Sequence, residues 1–265
     1  MKDGQHPNRL VSESEDLSPP SLTALEAVAA LREETDHHLE GRVAALPQHG
    51  AEISCRPGCT ACCHHLVVVS PLEAHALAEY LVAHPETARA IATRIPRWRE
   101  QIAAHPELRM GLERLNAAEG YLPDEEGGAL ELEYFRAVLP CPFLAPETQL
   151  CSVYPVRPFA CREHMVVSPP ELCTLDMDGV TTAETRMEAR TVANLVGAEC
   201  YGLPDRLLLL PEALEYAAAH PEEPARAAPA AQVRAVMENA QRRVRMVLAR
   251  LRLAAAQAQR EKRGG

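Results

Sequence analysis

Apolar positions along the chain follow different rhythms in different segments, and each change of rhythm marks an element. From Ser21, the residues Leu22, Leu25, Val28, Ala29, Leu31 and Leu39 recur near a 3.6-residue spacing. That spacing predicts an amphipathic helix running to Gly41 or Pro47. Residues 1–20 show no such period, are polar and end in Pro19-Pro20, so they read as a disordered leader. The run Leu66-Val67-Val68-Val69 has the length of a strand. Ser70-Pro71-Leu72-Glu73 comes next as a helix start, with Ser at the N-cap, Pro at N1 and Glu at N3 closing a capping box. The tetrapeptide Ala-His-Pro-Glu occurs at residues 83–86, 104–107 and 219–222. Each copy reads as a helix end followed by Pro and Glu at the start of the next helix. Helical hairpins are therefore expected around residues 71–120. A Gly127-Gly128 break is expected before a segment over Leu130–Val138.

Further along, two short apolar runs, Cys141–Leu144 and Leu150–Tyr154, flank the polar Glu147-Thr148-Gln149 and predict a β-hairpin. Pro155 and Pro158 stop its second strand, and Phe159–Arg162 opens a helical turn. Ser168–Asp178 reads as a loop, with helices resuming over 182–200 and 204–220. In the last helix Val233, Met237, Ala240, Val244, Val247 and Leu251 alternate steps of four and three, which makes one apolar seam. The organisation expected is a leader over 1–20, then a helical cover plus cysteine-cluster metal-binding domain over 21–180. A helical C-terminal extension over 181–265 ends in a basic amphipathic helix. The fold class expected is mostly α, with a small irregular α+β cysteine-rich metal core.

Composition narrows these expectations. The 265 residues are 47% hydrophobic, enough to bury a core, while aromatics at 4% suit an Ala/Leu-rich helical interior better than a β-sandwich. A net charge of -10 argues against a nucleic-acid or anionic-membrane binder. No apolar stretch approaches the roughly 20 residues of a spanning helix, nor the h-region of an export signal, so a cytoplasmic chain is expected. The charge is uneven. Residues 230–265 hold nine Lys/Arg against two Glu, a net of +7, which leaves -17 on the rest. This reads as a solvated basic helix face, or as a seam for a partner or a homodimer.

The nine cysteines say most about function. An odd count without an export signal does not describe a disulfide framework. Cys200 falls on a predicted helix and reads as a small buried hydrophobe. The other eight are Cys55, Cys59, Cys62, Cys63, Cys141, Cys151, Cys161 and Cys173, and the first four crowd into nine residues. The spacing C-x3-C-x2-C lets a loop turn sulfurs toward one point, and Gly58 permits the turn. The neighbours Cys62 and Cys63 diverge, which suits two metals or two irons of a cluster; a vicinal disulfide is the alternative. Cys141, Cys151 and Cys161, spaced ten apart, supply sulfurs from the hairpin and the turn after it. Metal joining both groups would act as a folding staple. Zinc in four-thiolate sites and an iron–sulfur cluster both fit this donor set. Arg56, Arg157 and Arg162 stand beside cysteines and can offset thiolate charge, while His64, His65 and His164 are further ligand candidates. No G-x-G-x-x-G, Walker, H-E-x-x-H or G-x-S-x-G pattern occurs, so nucleotide and hydrolase readings lack support.

Four stretches together resemble the YkgJ-type cysteine-cluster proteins: Cys55-Arg-Pro-Gly-Cys59-Thr-Ala-Cys62-Cys63, Pro71-Leu72-Glu73-Ala74, Cys141-Pro-Phe-Leu and Cys151-Ser-Val-Tyr-Pro-Val-Arg-Pro-Phe-Ala-Cys161-Arg162. That family is named for zinc or iron chelation, and some members are called Fe–S oxidoreductases. The resemblance covers about residues 50–175. It implies Cys55, Cys59, Cys62, Cys63, Cys141, Cys151 and Cys161 as metal residues and names no reaction; Cys173 stands where many members have a further cysteine, and His164 is added from its place three residues after Cys161. Two functions are expected on this basis. One is a metal protein, with zinc or a [4Fe–4S]-type centre, engaged in redox or electron transfer with a redox partner. The other is a zinc-stapled, non-enzymatic adaptor that presents its basic C-terminal helix to an acidic partner.

Overall fold

The structure is a computed structural model that describes residues 20–56, 58–183 and 187–264. The expected leader, apart from Pro20, and Pro57 of the cysteine loop lie outside the described residues.

A short strand, β1 (Ser21–Thr23), leads into α1 (Ala24–Ala45). Thr23 Oγ1 accepts the Glu26 N–H at 3.2 Å and the Glu26 carboxylate accepts the Thr23 N–H at 2.7 Å, a capping box that fixes where the helix starts. Its buried face is Ala24, Ala27, Val28, Leu31, Thr35 and Leu39. The cysteine loop after it has one 3-10 turn, Ala61–His64. The Leu66–Val69 strand is shorter than expected: β2 is Val68–Val69. Helix α2 (Pro71–Ala83) opens on the predicted capping box of Ser70 and Glu73. Helices α3 (Pro85–Ala103) and α4 (Pro106–Ala117) start at the prolines of the first two Ala-His-Pro-Glu copies.

Helix α5 (Asp124–Ala137) runs through Gly127-Gly128, so the expected break is absent. Asp124, Glu125 and Glu126 favour a helix start ahead of the glycines. Leu130 then anchors the helix on α4, packed so closely on Gly111 that a Cβ there would come within 2.6 Å of it. The hairpin is β3 (Leu144–Ala145) against β4 (Leu150–Cys151), pairing Leu144 with Cys151. Next come α6 (Phe159–Glu163) and α7 (Leu172–Leu175). The stretch expected to be loop over Ser168–Asp178 thus holds a one-turn helix carrying Cys173. Helix α8 (Ala189–Tyr201) starts later than expected. The helix expected over 204–220 divides into β5 (Leu208–Leu209) and α9 (Ala213–Ala219). The third Ala-His-Pro-Glu ends α9, but Pro224 keeps a new helix from forming there and leaves a 3-10 turn, Glu223–Ala225. Strand β6 (Ala227–Pro229) then feeds α10 (Ala230–Gly264).

The described strands form three two-stranded antiparallel sheets, β1 with β6, β2 with β5 and β3 with β4. The first two join segments far apart in sequence and so close the helices into one body. One core lies between α1, α8 and the first half of α10, with Leu72 and Ala76 of α2 and Phe159 of α6 buried in it. A second lies between α2 and α9, and a third among α3, α4 and α5. Val233, Met237 and Ala240 of the α10 seam are buried, whereas Val247 is 54% exposed. The side chain of Leu251 lies outside the described residues. Among the described residues no helix is long and apolar enough to cross a membrane.

Candidate metal centre

Two buried carboxylates position the cysteine-bearing segments. Glu73, 3% exposed, accepts the Ser70 N–H at 2.9 Å on one oxygen and the Phe159 N–H at 2.8 Å on the other. Its capping box therefore also caps α6, two residues ahead of Cys161. Glu163, at the end of α6, accepts the N–H groups of Met187 at 2.6 Å and Ala189 at 3.2 Å, which ties the start of α8 to the same turn. Arg162, 7% exposed, grips Asp36 of α1 at 2.6 and 2.8 Å and donates to the Pro155 carbonyl at 3.0 Å.

Backbone bonds bring the cysteine groups together. The Cys141 N–H donates to the Cys63 carbonyl at 2.7 Å, joining the hairpin segment to the crowded loop. The Ser54 N–H bonds the Val166 carbonyl at 2.9 Å, and the Val166 N–H points at Cys55 Sγ at 3.4 Å. Helix α7 is held against the loop by the Thr174 hydroxyl on the Ala61 carbonyl at 2.9 Å. His65 Nε2 donates to the Cys173 carbonyl at 2.6 Å, which places the ring proton on that nitrogen. His164 Nε2 lies 3.8 Å from Cys173 Sγ, and its ring meets that of His65 edge-on at 5.3 Å.

All nine cysteines are free thiols, so the vicinal disulfide is not formed. Nor do the Cys62 and Cys63 side chains diverge as expected: the Cys63 S–H donates to Cys62, which holds the Cys62 thiol below its ordinary range and drives that of Cys63 far above. Burial pushes the Cys161 thiol well up, Cys141 to about 12 and Cys173 to about 11, with Cys55 and Cys151 also raised by burial. The mutual influences fall into two groups. Cys55 and Cys173 feel Cys59 and Cys62, while Cys63, Cys151 and Cys161 act with Cys141. Cys62 acts on both groups. Cys200, half-buried against the α1–α8 core, feels Glu199 and none of the eight. Among the described residues no three His, Cys, Asp or Glu side chains close on one point as a coordination shell does; the sulfurs share a neighbourhood instead.

Of the three arginines singled out in the sequence, Arg157 acts on these thiols. Its charge favours the thiolate at Cys55, Cys62, Cys151 and Cys161. The guanidinium lies over the Tyr154 ring at 4.6 Å, with its Nε buried and unpartnered among the described residues. Arg162 is committed to Asp36, and Arg56 is exposed.

A soft-donor set this dense fits zinc or iron, and does not fit hard oxygen-preferring cations. A sequence profile of the CxxCxxCC family, described as "Putative zinc- or iron-chelating domain", matches residues 54–191. The chain belongs to this family. The matched stretch of this CxxCxxCC protein starts one residue before Cys55 and ends inside α8, so it includes all eight clustered cysteines and both carboxylate ties to α6 and α8. No curated protein and no solved structure matches the chain.

Beside the cluster lies a half-open cavity of about 350 Å³. Cys62, Cys161, His65 and His164 line it together with Leu66, Val67, Glu131, Phe135, Ala160, Glu163, Val180, Thr182, Glu188 and Arg190. Sequence reasoning missed this cavity. Its walls come from α5, α6, the start of α8 and the loop before β2, and no single segment carries a pattern for it.

Proposed function

We propose that the eight clustered cysteines hold metal as two adjacent four-thiolate sites divided between Cys62 and Cys63. The first would take Cys55, Cys59, Cys62 and Cys173, and the second Cys63, Cys141, Cys151 and Cys161. The separation of Cys55, Cys59 and Cys173 from Cys141, Cys151 and Cys161 in their mutual influences supports this division, with the hydrogen-bonded Cys62 and Cys63 at the junction. His164 then stands beside Cys173 as a hydrogen-bonding neighbour. Bound iron, alone or in a cluster, would supply one-electron chemistry here. Arg157 offsets the negative charge of the thiolates, and Leu66, Val67 and Phe135 limit water on the open side. The observation that favours redox-linked chemistry over a staple is that Cys62 and Cys161 form part of the cavity wall. Thiolates in a cavity wall give a redox partner close approach to the centre, and solvent exposure is one of the factors that set the potential of an iron–sulfur centre.

Metal analysis after anaerobic purification tests this reading. Iron with brown colour and broad visible absorption is expected. Cys59→Ser and Cys151→Ser should each lower metal content, and Cys200→Ser should leave it unchanged. Full metal in both cluster variants would overturn the assignment. A second reading draws on the far half of α10, where Met246 and Val247 are exposed among arginines. In it, a colourless zinc-stapled adaptor offers this basic helix to an acidic partner, or to a second copy. Stoichiometric zinc without colour would favour it.

A further inference from the structure

The cavity beside the cysteines holds charged side chains that the thiolate sites do not use. Arg190 stands in the first turn of α8, which holds no acidic residue, although the positive end of a helix disfavours a cation there. Glu188, just before that turn, adopts φ 56°, a left-handed conformation uncommon for a non-glycine residue. Both residues line the cavity. The charge of Arg190 reaches Glu73 and Tyr121, yet among the described residues it makes no ion pair. Glu131 of α5 and Glu188 likewise have no ion-pair partner among the described residues. Glu163, the third carboxylate of the wall, is engaged by the Met187 and Ala189 N–H groups. The wall therefore presents one guanidinium and two carboxylates around an apolar surface that includes Leu66, Phe135 and Val180.

A simple anion would meet Glu131 and Glu188, and a simple cation would meet Arg190. The charge pattern complements a molecule that carries both signs. We propose that this cavity binds a small zwitterion of the amino-acid class, with its carboxylate on Arg190, its ammonium toward Glu131 and Glu188, and its apolar side chain on Leu66, Phe135 and Val180. The ligand would then lie against the Cys62 and Cys161 wall, so the inference rests on the reading of that wall as the open side of a metal centre.

Calorimetric titration of the metal-loaded full chain tests it, using L-leucine, L-methionine and L-phenylalanine as probes. The singly charged analogues of leucine, 4-methylpentanoate and 3-methylbutylamine, serve as controls. At least one amino acid is expected to bind, and for leucine both analogues should be weaker by about tenfold or more. Arg190→Gln should remove amino-acid binding at unchanged metal content, and Arg190→Lys should restore part of it. Binding by none of the three amino acids to fully loaded protein would overturn the proposal, as would analogues that bind as tightly as leucine. Metal content measured on the same sample keeps the two readings apart. A chain that purifies without metal but binds an amino acid through Arg190 would sink the metal centre and keep the ligand site. Full metal with no binding does the reverse.

Discussion

Glu73 and Glu163 show how much single side chains decide in this protein. Each is a buried carboxylate that closes backbone N–H groups at the start of a helix other than, or in addition to, its own. Glu73→Ala would leave the Ser70 and Phe159 N–H groups buried and unpaired, so it should lower stability by about 2 kcal/mol or more. Urea unfolding measures this, and a change within error would remove Glu73 from its bridging role. Glu223 carries a different prediction. Burial works against its charge, but hydrogen bonds from His75 at 2.8 Å and the Tyr216 hydroxyl at 2.7 Å outweigh burial and hold the carboxyl below its ordinary value. A lowered folded value means that the stabilisation is complete above the ordinary carboxylate range and is lost as pH falls through the folded value. Glu223→Gln should therefore flatten the acid limb of the stability–pH curve and lower the plateau near neutrality. Parallel curves for variant and parent would contradict it.

Among the elements, local chemistry predicted starts better than courses. The Ser70–Glu73 box and the prolines at 85 and 106 begin helices where expected, because capping and a preset proline φ act within one turn. Gly127-Gly128 failed as a break because packing of Leu130 on Gly111, from a separate helix, outweighs a local penalty of about 1 kcal/mol per glycine. Leu208–Leu209 became a strand because Val68–Val69 offers it an edge across the molecule, a partner no window of sequence contains. Helix α10 is divided in the same way. A chain ending at Pro229 would lose the burial of Val233 and Met237, about 3–6 kcal/mol, which is comparable with the net stability of a domain. It should fail to fold cooperatively by circular dichroism. A chain ending at Arg245 keeps those contacts and should melt within a few degrees of the full chain. Equal melting of both truncations would show that the seam does not support the core.

In the molecule as a body, α6 is the junction. Phe159 is buried in the α1–α8 core, Arg162 holds α1 through Asp36, and Glu163 holds the start of α8. Cys161, between them, is placed by all three. Body and site are coupled for this reason: the cysteine module is short of regular structure and takes its shape from the helices around it. The same coupling forms the cavity, since its walls belong to elements that meet only when α5 and α8 close over the loop before β2.

The helical character of the chain, the capping residues that start α2, and the cysteines that set one region apart are all legible in the order of amino acids. They depend on periodicity, on contacts within a turn and on residue chemistry, all of which are local. Cys200 was already set apart by its place on a predicted helix, but long-range packing was needed to hold Cys173 against the cysteine loop. Packing also turned Arg157, rather than Arg56 or Arg162, toward the thiols, and covered the α10 seam for only half its length. Each of these depends on which distant segments come within a few ångströms of one another. Spacing along the chain cannot carry that information, because the backbone bonds that bring Cys63 to Cys141 and Ser54 to Val166 join residues with long stretches of helix or loop between them.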